Sequence, residues 1–189
     1  MPSNIEIKAR VRNPGRLRTL AERLSDTPPE TLEQHDTFFV CPRGRLKLRQ
    51  FSAHSGELIF YLRPDIAGMR QSDYVLARTS SPADLLAVLT RALGVKCTVA
   101  KSRVLLRVGQ TRIHLDFVAG LGAFVELEVV LQDRQTPEQG RQIARQLMTD
   151  LEISDKDLVA GAYADLLPPA NAIQVSEPAQ EKLPPADGR

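Results

Sequence analysis

Short segments in which apolar and polar residues alternate recur along the chain, and they predict a protein built largely of β-strands. In the segment at residues 4–10 (NIEIKAR), Ile5, Ile7 and Ala9 lie on one face and charged side chains lie on the other. Alternation with a period of two is typical of a strand with a single apolar face. Similar segments occupy residues 35–40, 44–51, 56–64, 73–79, 96–109, 111–118 and 120–132.

Helix signals stand between and after these strands. Three stretches begin with a capping residue and a proline and continue with apolar residues on one helical face; their capping residues are Asn13, Ser81 and Thr136. A fourth helix is predicted at about residues 154–167. The proline-rich residues 168–189 have no sustained period, so we predict a disordered tail there, behind a single domain at residues 1–167.

The composition is that of a globular protein, with 42% hydrophobic and 25% charged residues among 189. The net charge of +2 neither favours nor excludes a nucleic-acid partner. Cys41 and Cys97 form no CxxC motif, so neither a disulfide framework nor a zinc site is predicted. An N-terminus without an apolar signal region, and no apolar run of membrane length, predict a cytoplasmic protein without membrane contact.

The polar faces of the strands carry a biased set of charges. They hold ten bases and five acids, in a chain with 25 bases and 23 acids overall. The bases are Lys8, Arg10, Arg45, Lys47, Arg49, Arg63, Lys101, Arg103, Arg107 and Arg112, and the acids are Glu6, Glu57, Asp116, Glu126 and Glu128. A solvated sheet face explains any one strand. It explains the whole set poorly, because like charges facing each other across strands are destabilising.

A barrel that closes with its charged faces inward, and with helices over its apolar outer faces, accounts for this bias. Such an interior is costly when it is empty and dry, so it implies water and a polyanionic guest. Arginine and lysine together suit phosphate. Glu126 and Glu128 point the same way along one strand, where Glu6 and Asp116 can join them. Carboxylates clustered beside phosphate predict bound Mg²⁺ or Mn²⁺.

The sequence resembles the CYTH superfamily, which joins class IV adenylyl cyclases with thiamine triphosphatases and related enzymes. The resemblance rests on an ordered set of stretches over residues 4–130: IEIKAR, QHDTFF, GRLKLR, ELIFYLR, VAKSR, RIHLD and GLGAFVELEV. The last two look like the class IV cyclase branch. The resemblance implies an α+β fold, namely a closed antiparallel eight-stranded β-barrel, the triphosphate tunnel, with helices packed on the outside.

The resemblance and the strand faces together assign candidate site residues. The predicted phosphate-binding residues are Lys8, Arg10, Arg45, Lys47, Arg49, Arg63, Lys101 and Arg103. Among them, the predicted catalytic residues are Lys8, Arg63, Lys101 and Arg103. The predicted metal ligands are Glu6, Asp116, Glu126 and Glu128. Asn4 departs from the family's ExExK signature, because a glutamate is expected there; its amide oxygen can ligate a metal but adds no charge, so weaker or single metal binding is expected.

The implied activity is that of a class IV adenylyl cyclase, which converts ATP to cyclic AMP and pyrophosphate with Mg²⁺ or Mn²⁺. Two alternatives stay open at this stage. One is hydrolysis of thiamine triphosphate or inorganic triphosphate at the same site, and the other is non-catalytic binding of nucleotides or polyphosphate. The expected partner is a triphosphate small molecule and not a nucleic acid, since the strands lack the interleaved aromatics of a stacking platform. A homodimer is left open, because relatives dimerise.

Three further residues have more than one interpretation. His114 shares a face with Asp116 and is a general base, a metal ligand or a hydrogen-bonded barrel residue. Asp36 either points toward the tunnel mouth or stabilises a turn, and Tyr61 either stacks on a base or packs. If the bases line an empty tunnel, Arg103→Ala is expected to weaken triphosphate binding with little loss of stability, because it relieves repulsion between like charges.

Overall fold

A computed structural model describes residues 3–167, so the predicted tail at 168–189 lies outside the described residues. The strands are β1 Ser3–Arg10, β2 Glu30–Phe39, β3 Arg45–Ser52, β4 Ser55–Leu62, β5 Arg70–Thr79, β6 Val95–Val108, β7 Thr111–Val118 and β8 Gly122–Val130. The helices are α1 Pro14–Leu24, α2 Pro82–Leu93, α3 Pro137–Asp150 and the one-turn α4 Tyr163–Leu166, with a 3-10 turn at Asp155–Asp157. Within residues 3–167, no helix is long and apolar enough to cross a membrane.

The eight strands close into one antiparallel barrel, in the order β1-β5-β4-β3-β2-β6-β7-β8. Closure depends on β1, which pairs with β5 on one edge and with β8 on the other. Along the β1–β8 pair, Glu6 is opposite Glu128 and Lys8 is opposite Glu126. Because side chains opposite each other share a face, this register places all four charged groups on the same side of the wall. The predicted eight-stranded barrel is confirmed.

The apolar outer faces of the barrel are covered by α1 and α3. Ile7, Leu106, Ile113 and Leu127 are fully buried in one cluster with residues of both helices. In α3, Gly140 lies close to the wall, and a Cβ there would come within 2.7 Å of Cγ1 of Ile5. The capping residues predicted for these helices are confirmed, since Asn13 and Thr136 accept hydrogen bonds from backbone N–H groups.

Two strands are longer than the alternation predicted. The prediction of a continuous fourth helix at about residues 154–167 is wrong. β2 begins at Glu30 because the 14-residue β6 provides a partner as far as Leu105, and β5 begins at Arg70. Residues 158–167, here called the C-terminal segment, enter the barrel end as an extended stretch followed by α4. The backbone of Val159 donates to the carbonyl of Lys8 at 2.8 Å, so this stretch pairs with β1 instead of coiling.

Candidate active site

The barrel encloses a cavity of about 320 Å³ that is lined by the inward faces of the strands. Ala162 and Tyr163 of the C-terminal segment line it at one end, where the Tyr163 ring meets Phe124 at 5.1 Å between centroids. We call this the closed end. At the other end, Phe51 and Leu76 line the cavity and are each 40% exposed, so this is the open end. A guest can therefore enter from this end, where Glu57 and Arg107 line the cavity beside the two apolar side chains.

Most of the predicted site residues meet in this cavity. Those that line it are Glu6, Lys8, Lys47, Arg49, Arg63, Lys101, Arg103, Glu126 and Glu128. Three others do not line it. Arg10 lies over the Phe124 ring at 5.0 Å, Arg45 donates to Asp65 and Asp165, and Asp116 is buried against Arg103. The predicted phosphate-binding role of Arg10 and Arg45 stays a prediction.

Asp36 pairs with three of the bases in the cavity, Lys47, Arg49 and Lys101. Its carboxylate accepts hydrogen bonds from Arg49 at 2.7 and 2.8 Å and from Lys47 at 2.9 Å, and Lys101 is 3.6 Å away. Burial alone would raise the pKa of Asp36, but these three cations hold it well below its usual range. Asp36 therefore stays ionised and fixes three bases around one point of the cavity wall.

Asp116 has the same function for Arg103. The Arg103 guanidinium donates to both carboxylate oxygens of Asp116 at 2.6 Å, and one of its nitrogens also donates to Glu126 at 2.8 Å. The Tyr163 hydroxyl donates to Asp116 at 2.9 Å. This pairing corrects the expectation that Arg103→Ala costs little stability. Loss of Arg103 would leave the buried carboxylate of Asp116 without its guanidinium partner.

The pKa values of all three lysines of the cavity are lowered, and for Lys8 and Lys101 the shift is large. Burial lowers the pKa of Lys8 to about 8, against the opposing effect of Glu126 at 3.3 Å. The Lys8 ammonium also donates to the carbonyl of Gly161 at 3.2 Å and lies 3.8 Å from the Tyr163 ring centroid. Burial, together with the positive charge of Arg103, lowers the pKa of Lys101 to about 7. A guest with negative charge would restore the charged form of both lysines.

Arg63 and Glu6 form the other wall of the cavity. Arg63 donates to Glu6 at 2.7 Å and to the carbonyl of Gly161 at 3.0 Å. Burial, with the nearby charge of Glu128, raises the pKa of Glu6 despite this ion pair. The carbonyl oxygen of Gly161 thus accepts hydrogen bonds from two predicted catalytic residues, Lys8 and Arg63, and helps to hold their positive charges at the closed end.

Three donors in the cavity can hold a divalent ion. Atoms of His114, Glu126 and Glu128 lie within 4.8 Å of one another. Burial would raise the pKa of Glu128, but His114 and Arg112 hold it at about 2, so the carboxylate is ionised. This donor set fits a divalent cation. The other two predicted ligands, Glu6 and Asp116, lie outside this group and are paired with arginines.

Asn4 is part of the cavity wall, with only 2% of its surface exposed. When its amide is oriented so that both polar atoms are paired, its oxygen accepts from Arg112 at 3.3 Å. Arg112 in turn contacts Glu128 at 2.9 Å. The amide oxygen of Asn4 is therefore directed to a base, and Asn4 tethers the arginine that neutralises Glu128.

One site residue was left ambiguous by the sequence analysis, and one was missed. Asp36 was expected either toward the tunnel mouth or in a turn; it shares its face with Gln34 and Phe38, and all three line the cavity. Tyr163 carried no such signal, because its segment was predicted as an outer helix. The extended backbone before Tyr163 follows from tertiary hydrogen bonds, including one from Arg70 to the carbonyl of Val159 at 3.2 Å.

A closed antiparallel barrel whose interior holds paired bases and acids defines a tunnel class of β-barrel proteins. Comparison with known proteins makes this specific. A family model, the CYTH domain, matches residues 3–163, and the chain therefore belongs to the CYTH domain family. No curated protein matches the sequence.

Solved structures share the fold at low sequence identity. The PH1012 protein from Pyrococcus horikoshii is 21% identical, with a TM-score of 0.77 over 87% of this chain and 99% of that one. A candidate adenylate cyclase from Vibrio parahaemolyticus is 19% identical, with a TM-score of 0.69 over 86% and 96%. The candidate adenylyl cyclase HpAC1 from Hippeastrum, described as having a dominant triphosphatase activity, is 18% identical, with a TM-score of 0.58 over 84% and 91%.

Proposed function

We propose that this protein is a divalent-metal-dependent enzyme that acts on a triphosphate compound, and that its preferred reaction is the conversion of ATP to cyclic AMP and pyrophosphate. The observation that carries the proposal is the cavity, which is lined by seven buried or half-buried Lys and Arg side chains and by five carboxylates. Membership in the CYTH domain family supports the same substrate class.

The phosphate chain would be held by the six predicted phosphate-binding residues that line the cavity. These are Lys8, Lys47, Arg49, Arg63, Lys101 and Arg103. Among them, Lys8, Arg63, Lys101 and Arg103 would contact the reacting phosphoryl group and stabilise the charge that develops on it. Their carboxylate partners hold them in place before the substrate arrives, so little side-chain ordering remains to be done on binding.

The position of the acids along the barrel supports attack at the phosphorus nearest the nucleoside. Along β8, Phe124 contacts Tyr163 at the closed end, Glu126 is the next inward-facing residue, and Glu128 follows toward the open end. A triphosphate that enters with its terminal phosphate first would place its α-phosphate near Glu128 and its base near Phe51. A bound divalent ion there would polarise the α-phosphoryl oxygens. Glu126 and Glu128 would hold that ion.

Hydrolysis is the second candidate, and the open end of the cavity favours it. Among the residues that line the cavity in the described part of the chain, all five carboxylates are paired with bases, so neither reaction has a free carboxylate to take the proton of its nucleophile. Water can reach the same phosphorus through the open end without an oriented ribose. The third possibility is binding without turnover, and detection of a product of either reaction would exclude it.

The test is to incubate the purified protein with Mg²⁺ or Mn²⁺ and, separately, ATP, thiamine triphosphate and tripolyphosphate. Cyclic AMP, pyrophosphate and phosphate are then measured. Arg63→Gln is the site variant, and Arg12→Gln is its control, because Arg12 is exposed and pairs with Asp157 outside the cavity. Cyclic AMP from ATP, lost only in Arg63→Gln, supports cyclisation, whereas phosphate release alone supports hydrolysis. Tight binding of a triphosphate with no product at all would refute the enzymatic proposal.

A further inference from the structure

We propose that His114 is a metal ligand and that, with Glu126 and Glu128, it forms a mixed imidazole–carboxylate site that binds a divalent transition ion such as Mn²⁺ in preference to Mg²⁺. The inference deepens the proposed function, on which it rests for the presence of a metal. It assigns a nitrogen ligand that a site made of carboxylates alone would lack.

The first observation is an unsatisfied nitrogen. The His114 side chain is only 5% exposed, and its Nδ1 has no hydrogen-bond partner among residues 3–167. A buried polar atom without a partner is destabilising, so such an atom in a folded protein needs an explanation. The lone pair of a neutral imidazole nitrogen is also the group that binds metals.

The second observation is the position of the carboxylate oxygens around that nitrogen. Nδ1 of His114 is 3.7 Å from Oε1 of Glu128 and 3.8 Å from Oε2 of Glu126, which is too far for a hydrogen bond. Two atoms that ligate one ion at about 2.1 Å lie roughly 3.0 to 3.6 Å apart. A small inward shift of the three side chains therefore suffices to surround one cation.

The neighbouring bases leave room for this ion. Arg112 contacts Oε2 of Glu128, so Oε1 of Glu128 is turned toward His114. Arg103 contacts Oε2 of Glu126, and Lys8 contacts Oε1. A cation must compete with Arg103 for Oε2 of Glu126, whereas the His114 nitrogen and Oε1 of Glu128 face the site with no such competitor among their ion pairs.

The mixed donor set determines which metals bind well. Mg²⁺ prefers oxygen ligands in a strict octahedron and gives up its waters reluctantly. First-row transition ions accept imidazole nitrogen readily. Replacing one oxygen by the nitrogen of His114 therefore shifts the preference of the site away from Mg²⁺.

The test uses Mn²⁺ alone, without any triphosphate, and electron paramagnetic resonance. Bound Mn²⁺ is measured by loss of the free-ion signal, and pulsed spectra report a ¹⁴N nucleus coupled to the ion. Wild-type protein should show nitrogen coupling. His114→Phe should lose the coupling and weaken Mn²⁺ binding by at least about tenfold. His54→Phe, at an exposed position, is the matched control and should change neither.

Two results would overturn the inference. The first is a wild-type spectrum of bound Mn²⁺ without nitrogen coupling, a readout that does not depend on how any variant folds. The second is equal displacement of Mn²⁺ by Mg²⁺ in wild type and His114→Phe. The metal-binding experiment contains no triphosphate. A negative result there does not refute the proposed enzymatic reaction, and a lack of turnover in the enzymatic assay does not refute His114 as a metal ligand.

Discussion

Replacing Asp36 with asparagine should lower the free energy of unfolding by about 3–5 kcal/mol, because it leaves one buried and two half-buried bases without their shared acid. Asp36 contacts Arg49, Lys47 and Lys101 at 2.7, 2.9 and 3.6 Å. At an effective dielectric constant of about 20, each contact corresponds to roughly 4–6 kcal/mol of attraction. Desolvation of the four groups and repulsion among the bases offset most of that sum, so the net loss is far smaller than three full contacts.

The same ion cluster fixes the pH dependence of the loss. The pKa of Asp36 is held well below its usual value in the folded protein. A carboxyl with a depressed folded-state pKa stabilises the fold above its unfolded pKa of about 3.9 and loses that contribution as the pH falls toward the folded-state pKa. Wild-type stability should therefore fall below about pH 5, and the part of this fall that comes from Asp36 should be missing in Asp36→Asn.

Urea unfolding followed by circular dichroism, at pH 7 and again at about pH 3, below the unfolded-state pKa of about 3.9, measures both effects. Asp65→Asn is the control, because Asp65 pairs with Arg45 while 54% of its side chain is exposed. An exposed ion pair is worth roughly 1 kcal/mol or less. The reasoning fails if Asp36→Asn costs no more than Asp65→Asn at pH 7, since the bases would then not need their acid.

Three other changes follow from the structure. Arg103→Ala should destabilise the protein by about 3–5 kcal/mol in urea unfolding, because Asp116 loses both of its guanidinium contacts; a loss below about 1 kcal/mol would contradict the pairing. Tripolyphosphate binding, measured by calorimetry, should weaken as the pH rises above about 7, because Lys101 then loses its proton in the protein without ligand. The decrease in affinity with pH should be smaller in Lys101→Met. Gly140→Ala should lower stability by about 1–3 kcal/mol without changing tripolyphosphate affinity, because its Cβ would press on Ile5 outside the cavity.

Alternation along the strands was enough to predict which side chains point inward. Lys47 and Arg49 on β3, and Glu126 and Glu128 on β8, line the cavity as expected. This succeeds because the side-chain period of a strand is two, so one apolar face fixes the other. The register between strands was not in the pattern, and register decides which base meets which acid. Asp36 was therefore ambiguous until its strand was paired with β3.

The C-terminal segment could not be predicted for a different reason. Its sequence permits a helix, and local propensity is the only signal that a single chain provides there. The structure instead satisfies its backbone with partners far away in sequence, such as the carbonyl of Lys8 and the side chains of Arg63 and Arg70. These interactions hold the C-terminal segment across one end of the cavity. The sequence analysis therefore missed the closed end together with the extended backbone.

The bases of the cavity are balanced by acids, and this pairing also affects binding. A triphosphate competes with the carboxylates for the bases that hold it. Where it takes Lys8 and Arg103 from Glu126, a buried carboxylate is left without a cation, which is very costly. A divalent ion at Glu126 and Glu128 removes that cost. We therefore expect the metal and the triphosphate to strengthen each other's binding, and the acids of the cavity to be as necessary for holding the phosphates as the bases are.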